Sequence, residues 1–135
     1  MRVVFDTNML VSALLFESSM PGRAFSMALE TGEILLSEIL VNEANEVLQR
    51  KKFQKYITVE QREEFLIALV QSGRLVDITE IIAVCRDPKD NHVLELAVSG
   101  GAQVIVTGDS DLLVLNPFRA IQILTARDFL SIVLG

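Results

Sequence analysis

Short apolar runs rich in valine and isoleucine recur along this chain of 135 residues, and longer helical patterns separate them. Continuous runs of this kind are typical of strands that are buried on both faces of a parallel sheet. The predicted strands are Arg2–Phe5, Ile34–Ser37, Leu75–Ile78, Gln103–Thr107 and Ala120–Leu124. The predicted helices are Met9–Phe16, Pro21–Glu30, Glu38–Lys51, Val59–Ser72, Lys89–Ser99, Ser110–Val114 and Ala126–Val133. The expected fold class is therefore α/β, a three-layer α/β/α sandwich around a central parallel five-stranded sheet.

Composition narrows the class of protein further. Half of the residues are hydrophobic and 22% are charged, which indicates a globular chain, and the absence of a linker predicts one domain over residues 1–135. No stretch approaches the ~18–20 apolar residues of a membrane span, so we expect no membrane association. The single cysteine excludes an internal disulfide and favours a cytoplasmic protein. The net charge of −6 argues only weakly against nucleic-acid binding, because cations bound at an acidic site would offset part of it.

Two aspartates follow predicted strands directly. Asp6 comes after Val3-Val4-Phe5, and Asp109 comes after Val104-Ile105-Val106. Because open parallel sheets bind their ligands at the carboxyl ends of the strands, we expect both carboxylates at one edge of the sheet. Each of them, taken alone, also fits the N-cap of the helix that follows.

Two further carboxylates lie on the apolar faces of predicted helices. Glu43 falls between Ile39 and Val47 in the helical pattern, where an unpaired charge is costly. An internal salt bridge and a ligand role explain this position equally well. Asp90 projects from the apolar face of the next such helix, whose N-cap we assign to Asp87.

Together these four carboxylates favour metal chemistry. Crowded carboxylates raise one another's pKa values unless cations screen them. Oxygen ligands without histidine or cysteine suit Mg²⁺ or Mn²⁺, which activate water and offset charge on a phosphate. Metal-assisted hydrolysis of phosphodiester bonds is the leading hypothesis. Asp111 follows Asp109 closely enough to be a ligand as well, although a local role in its helix explains it equally well.

Four segments of the chain form a recognisable pattern. The segments are Val4-Phe5-Asp6-Thr7-Asn8; Ser37 followed by Glu43 and Glu46-Val47-Leu48; Arg86-Asp87-Pro88-Lys89-Asp90-Asn91 with Leu94, Leu96 and Ala97; and Val106-Thr107-Gly108-Asp109-Ser110-Asp111-Leu112-Leu113. In this order they resemble the PIN domain family, particularly the prokaryotic VapC-type toxins, and the resemblance covers essentially the whole chain. The last two segments, at this separation, are the most specific.

The resemblance implies a parallel sheet of order 3-2-1-4-5 and an endoribonuclease that depends on Mg²⁺ or Mn²⁺. It also implies a homodimer, an RNA substrate and a cognate antitoxin protein, as in type II toxin–antitoxin pairs. The site residues that it implies are a catalytic, metal-binding quartet of Asp6, Glu43, Asp90 and Asp109, with Asp111 close by and with Thr7, Asn8 and Thr107 shaping the site through hydrogen bonds.

Other functions of α/β proteins fit these residues less well. Dinucleotide-binding modules and P-loop NTPases need a glycine-rich turn after the first strand, and the turn Asp6-Thr7-Asn8-Met9 has no glycine. An aspartate-dependent phosphatase fits Asp6, but Asn8 stands where its second aspartate is expected. An RNA-binding PIN protein without a toxin role remains an alternative.

Two other features carry expectations. The basic segment from Arg50 to Tyr56 contains the only cluster of cations, with Phe53 interleaved. It fits either contact with RNA or a basic helix C-terminus with Phe53 packed inward, and we favour the second interpretation for any one residue. The sole histidine, His92, falls off the apolar face of its helix, so we expect it to be solvated.

Overall fold

A five-stranded, all-parallel sheet forms the centre of the protein in the computed structural model, which describes residues 1–135. The strands are β1 Arg2–Phe5, β2 Glu33–Leu36, β3 Arg74–Leu75, β4 Val104–Val106 and β5 Gln122–Leu124. Their order is β3-β2-β1-β4-β5, and each neighbouring pair is parallel. The predicted α/β fold, its five strands and the order 3-2-1-4-5 are confirmed.

Seven α-helices surround this sheet. They are α1 Thr7–Leu15, α2 Met20–Thr31, α3 Glu38–Leu48, α4 Val59–Ser72, α5 Asn91–Gly100, α6 Ser110–Leu113 and α7 Ala126–Leu134, with 3₁₀ turns at Lys51–Phe53 and Pro88–Asp90. Side chains satisfy the free N–H groups at the start of most helices, and the hydroxyl of Thr58 forms a capping box with Gln61 on α4. Helix α5 packs on β1, β2 and β4, whereas α2 contacts β2, α1 and α7.

The core follows the apolar runs of the sequence. Val3, Val4 and Phe5 of β1 are completely buried, and so are Ile105 and Val106 of β4. These central strands belong to a single cluster of 31 buried hydrophobic residues. Burial of this apolar area is the main favourable contribution to folding. No helix in the structure has both the length and the apolar character needed to cross a bilayer.

The register of β1 against β4 positions the functional edge of the sheet. Phe5 pairs with Val106, so the next residues, Asp6 and Thr107, leave the sheet side by side. The N–H of Asp6 still donates to the carbonyl of Val106, at 3.2 Å. A parallel strand pair therefore places these two polar side chains together, although 101 positions separate them in the sequence.

Most of the predicted elements differ from the observed ones by one to three residues at an end, and three of these differences fall in β3, α3 and α5. The third strand was predicted to reach Ile78 but ends at Leu75, because it lies at the edge of the sheet, pairs only with β2 and has both residues exposed. Helix α3 ends at Leu48, before the basic segment, and a 3₁₀ turn follows it. The helix predicted from Lys89 begins as the 3₁₀ turn Pro88–Asp90, which Asp87 caps, as expected, through the N–H of Lys89.

Candidate metal centre

A polar cavity of about 460 Å³ opens at the carboxyl edge of the sheet. All members of the predicted quartet line it, together with Thr7 and Asn8: the acids are Asp6, Glu43, Asp90 and Asp109. They come from the end of β1, from α3, from the 3₁₀ turn before α5 and from the end of β4. The tertiary structure thus gathers four carboxylates that are spread over more than a hundred residues of sequence.

Asp6 is the most deeply buried of these acids, with 8% of its surface exposed. Its Oδ1 accepts a hydrogen bond from the N–H of Met9 at 2.8 Å and caps α1, while its Oδ2 accepts one from the Thr107 hydroxyl. Burial raises the pKa of Asp6, and the hydrogen bonds from Thr107 and Met9 oppose that rise. The nearby charge of Asp109 raises the pKa of Asp6 further.

Thr107 connects two of the acids. Its side chain is fully buried, donates to Asp6 and accepts a hydrogen bond from the N–H of Asp109 at 3.0 Å. Asp109 in turn accepts from the N–H of Asp111 at 2.9 Å and caps α6. Asp6 and Asp109 therefore act as helix caps and line the cavity at the same time, so capping does not conflict with a place at this edge of the sheet.

Asp90 shows the strongest effect of crowding. Desolvation, the charge of Asp109 and a hydrogen bond with Asp109 raise the pKa of Asp90 to about 6. The charges of Asp87 and Asp6 add to this rise. Such a carboxylate keeps its proton up to a higher pH than an ordinary aspartate does when no cation screens its neighbours.

Glu43 is held by two polar side chains. The Thr7 hydroxyl donates to its Oε2 at 2.7 Å, and Nε2 of His92 lies 3.0 Å from the same oxygen. No lysine or arginine forms an ion pair with Glu43, so the proposed internal salt bridge to such a residue is wrong. Ile39 was expected on the buried face beside Glu43 but is 48% exposed. The buried side of α3 is instead formed by Leu40, Ala44, Val47 and Leu48.

The expectation for His92 is wrong, and Asp111, a possible ligand from the sequence, lies outside the cavity. His92 was expected to be solvated, yet its side chain is only 11% exposed and contacts Glu43. Asp111 does not line the cavity. Its Oδ1 lies 3.8 Å from Arg86, and its side chain is 33% exposed. No local pattern pointed to His92, because its partner is 49 positions away.

The donor set fits a hard divalent cation. No three His, Cys, Asp or Glu side chains stand close enough in this conformation to hold a metal ion. However, Asp6, Asp90 and Asp109 lie near enough to raise pKa values within the group, and all three offer oxygen ligands. A cation of charge +2 would favour the ionised form of Asp90 and offset the repulsion among these carboxylates. Closing a ligand shell requires these side chains to move towards a shared ion.

Relief of this repulsion predicts the stability of a variant. Asp90→Asn should keep or raise the melting temperature of metal-free protein, because it removes one of the crowded charges and keeps the shape of the side chain. Differential scanning calorimetry in EDTA measures this, with Asp77→Asn as the control, since Asp77 is exposed and forms no ion pair. A marked loss of stability in Asp90→Asn alone would mean that Asp90 has a structural role.

Comparisons with known proteins show which family the chain belongs to. The family model described as "PIN domain" matches residues 2–111. The uncharacterized protein MJ1680 of Methanocaldococcus jannaschii is 30% identical over 117 residues, which cover 85% of this chain and 75% of that protein.

A solved structure is also similar: VapBC2 from Rickettsia felis bound to a DNA fragment from their promoter. Its TM-score is 0.62 at 15% sequence identity, and the match covers 91% of this chain and 97% of that one. At this identity the similarity shows the fold alone. On the match of its sequence to the family model, over most of its length, this chain belongs to the PIN domain family, whose members are generally nucleases.

Proposed function

We propose that this PIN domain is an endoribonuclease that hydrolyses RNA phosphodiester bonds and depends on Mg²⁺ or Mn²⁺. The observation that carries the proposal is the cavity at the carboxyl edge of the sheet, which Asp6, Glu43, Asp90 and Asp109 line together. None of these four carboxylates forms an ion pair with a lysine or arginine. Carboxylates that share a cavity and form no ion pair with a lysine or arginine are the expected arrangement for a divalent metal ion.

The residues of the site divide the work between ligands and the groups that hold them. When bound, a divalent cation lowers the pKa of an attacking water and offsets the charge that develops on the phosphate. Asp6, Asp90 and Asp109 would hold that cation, with Glu43 on the facing helix. Thr107 orients Asp6 by donating its hydroxyl hydrogen, which leaves the aspartate in one rotamer.

Two positively charged side chains at the cavity support the proposal that the substrate is a polyanion. Arg50 and Lys89 line the same cavity as the acids, and neither forms an ion pair. Six acids line the cavity, so an approaching phosphate would be repelled without nearby positive charge. Arg50 and Lys89 are therefore the groups best placed to contact phosphates on either side of the scissile bond.

The basic segment continues outward from Arg50. Lys51, Lys52 and Lys55 are exposed, and Tyr56 is 51% exposed. Phe53 is half-buried and packs against the core, as expected, but the basic segment follows the end of α3 and does not form its C-terminus. Exposed lysines beside an exposed aromatic ring match the way in which proteins bind single-stranded RNA through phosphate contacts and base stacking.

Cleavage of RNA tests the proposal directly. Wild-type protein should cut a pool of single-stranded and structured RNA with Mn²⁺ or Mg²⁺ and not with EDTA. Asp6→Asn, Glu43→Gln, Asp90→Asn and Asp109→Asn should each slow cleavage by about 100-fold or more, as when a group that stabilises transition-state charge is removed. Rates come from gel-resolved time courses.

The control for this assay is Asp77→Asn, which changes an exposed aspartate outside the cavity and should cut as wild type does. Folded wild-type protein that cuts nothing with either metal would contradict the nuclease proposal. Retained RNA affinity without cleavage would favour the alternative, an RNA-binding role.

Removal of the two cavity cations should weaken RNA binding through loss of phosphate contacts. In an Asp6→Asn background, which leaves the RNA intact, Arg50→Ala with Lys89→Ala should lower the slope of log Kd against log salt by about 1–2. Fluorescence anisotropy over a salt series measures this slope. The matched control is Arg127→Ala on α7, an exposed arginine without an ion pair, and an equal effect there would refute the specific role.

We further propose that the nuclease is the toxin of a type II toxin–antitoxin pair, acting as a homodimer that an antitoxin protein inhibits. Support comes from the fold that the chain shares with a VapBC2 structure and from the VapC-like sequence segments. Induced expression in a bacterial host should arrest growth, because uncontrolled RNA cleavage halts protein synthesis. Asp6→Asn, expressed to the same level, should leave growth unchanged. Normal growth with abundant active wild-type nuclease would argue against the toxin role.

A further inference from the structure

His92 lies in the first turn of α5, two residues after Asp90, and its imidazole is almost completely buried. Nε2 of the ring is 3.0 Å from Oε2 of Glu43 on α3. The Thr7 hydroxyl of α1 reaches the same oxygen at 2.7 Å. Residues of three helices thus meet at one carboxylate oxygen in the wall of the cavity.

The chemistry of the three groups fixes the direction of these hydrogen bonds. An ionised carboxylate only accepts, so Thr7 and His92 must both donate to Oε2. Nδ1 of His92 is buried and has no hydrogen-bond partner. A hydrogen on Nδ1 would be a buried, unsatisfied donor, which costs more than a buried lone pair on that nitrogen. The ring therefore carries its hydrogen on Nε2, which faces Glu43.

The two donors leave the other oxygen of Glu43 free. Oε1 accepts no hydrogen bond, while Glu43 lines the cavity with Asp6, Asp90 and Asp109. A glutamate has three rotatable side-chain bonds, so without partners its carboxylate would sample many orientations. Partners that orient a metal ligand raise the affinity of a site because less motion has to be lost on binding.

We propose that His92 is a positioning residue, which holds Glu43 by Oε2 so that Oε1 remains available to a cation in the cavity. This inference rests on the proposed function only in taking Glu43 as a metal ligand. Because His92 follows Asp90 in the same segment, it also sets the spacing between the glutamate of α3 and the aspartate that precedes α5.

A matched pair of amide variants tests the inference. The amide nitrogen of glutamine in His92→Gln reaches about as far as Nε2 and can donate to Glu43, whereas that of asparagine in His92→Asn reaches only about as far as Nδ1. Mn²⁺ affinity, measured by isothermal titration calorimetry on the whole chain, should fall about 10-fold or more in His92→Asn. His92→Gln should stay close to wild type. In a Glu43→Gln background, His92→Asn should cause no additional loss.

Thermal melting of the metal-free protein and circular dichroism establish that each variant is folded. If His92→Asn does not fold, His92→Leu replaces it, because leucine fills the volume of the ring without donating a hydrogen bond. Wild-type Mn²⁺ affinity in the folded variant that cannot donate to Glu43 would overturn the positioning role. Equal losses of affinity in His92→Gln and in that variant would overturn it as well. Either result leaves the nuclease proposal standing. Wild-type protein that binds no Mn²⁺ would overturn both. Mn²⁺ binding with the expected contrast but without RNA cleavage would support His92 and contradict the nuclease.

Discussion

The carboxylate of Asp6 is held at the end of β1 with 8% of its surface exposed, and five more acids, among them Glu43, Asp90 and Asp109, line its cavity. Desolvation and mutual repulsion both oppose this arrangement, which is why burial, with the charge of Asp109 in addition, raises the pKa of Asp6 and that of Asp90. The fold maintains it with donors at the end of β4 and in the first turn of α1, chiefly the Thr107 hydroxyl and the N–H of Met9. The free energy for this comes from the apolar strands beneath, whose burial is complete.

The same aspartates serve the fold and the site because of how a parallel sheet is connected. Each strand ends at the edge where the next helix begins, so a residue that caps the helix also faces the crevice at the carboxyl ends of the strands. Asp6 caps α1 and Asp109 caps α6, and both line the cavity. A capping role is therefore no argument against a functional role at this edge.

Hydrogen-bond donors, acids and two cations surround the cavity. Hydrogen-bond donors lie beneath the acids, where Thr107 contacts Asp6 and where Thr7 and His92 contact Glu43. Arg50 and Lys89 also line the cavity, without ion pairs. A protein of net charge −6 therefore has two cations without ion pairs among the six acids of this cavity, where an anionic substrate can contact them.

The amino-acid sequence by itself determined the fold class, the strands and four of the six carboxylates that line the cavity, because continuous apolar runs, aspartates at their ends and acids on apolar helix faces are local signals. It misplaced Ile39 and His92 and did not exclude Asp111 from the cavity, since an apolar pattern shows which side of a helix is buried only to within a residue or two. It also overextended β3, an edge strand with a single neighbour. Only the tertiary structure decided that His92 contacts Glu43 and that Asp111 turns towards Arg86. Those pairings depend on how separate elements pack against one another, and no local pattern of residues encodes that geometry.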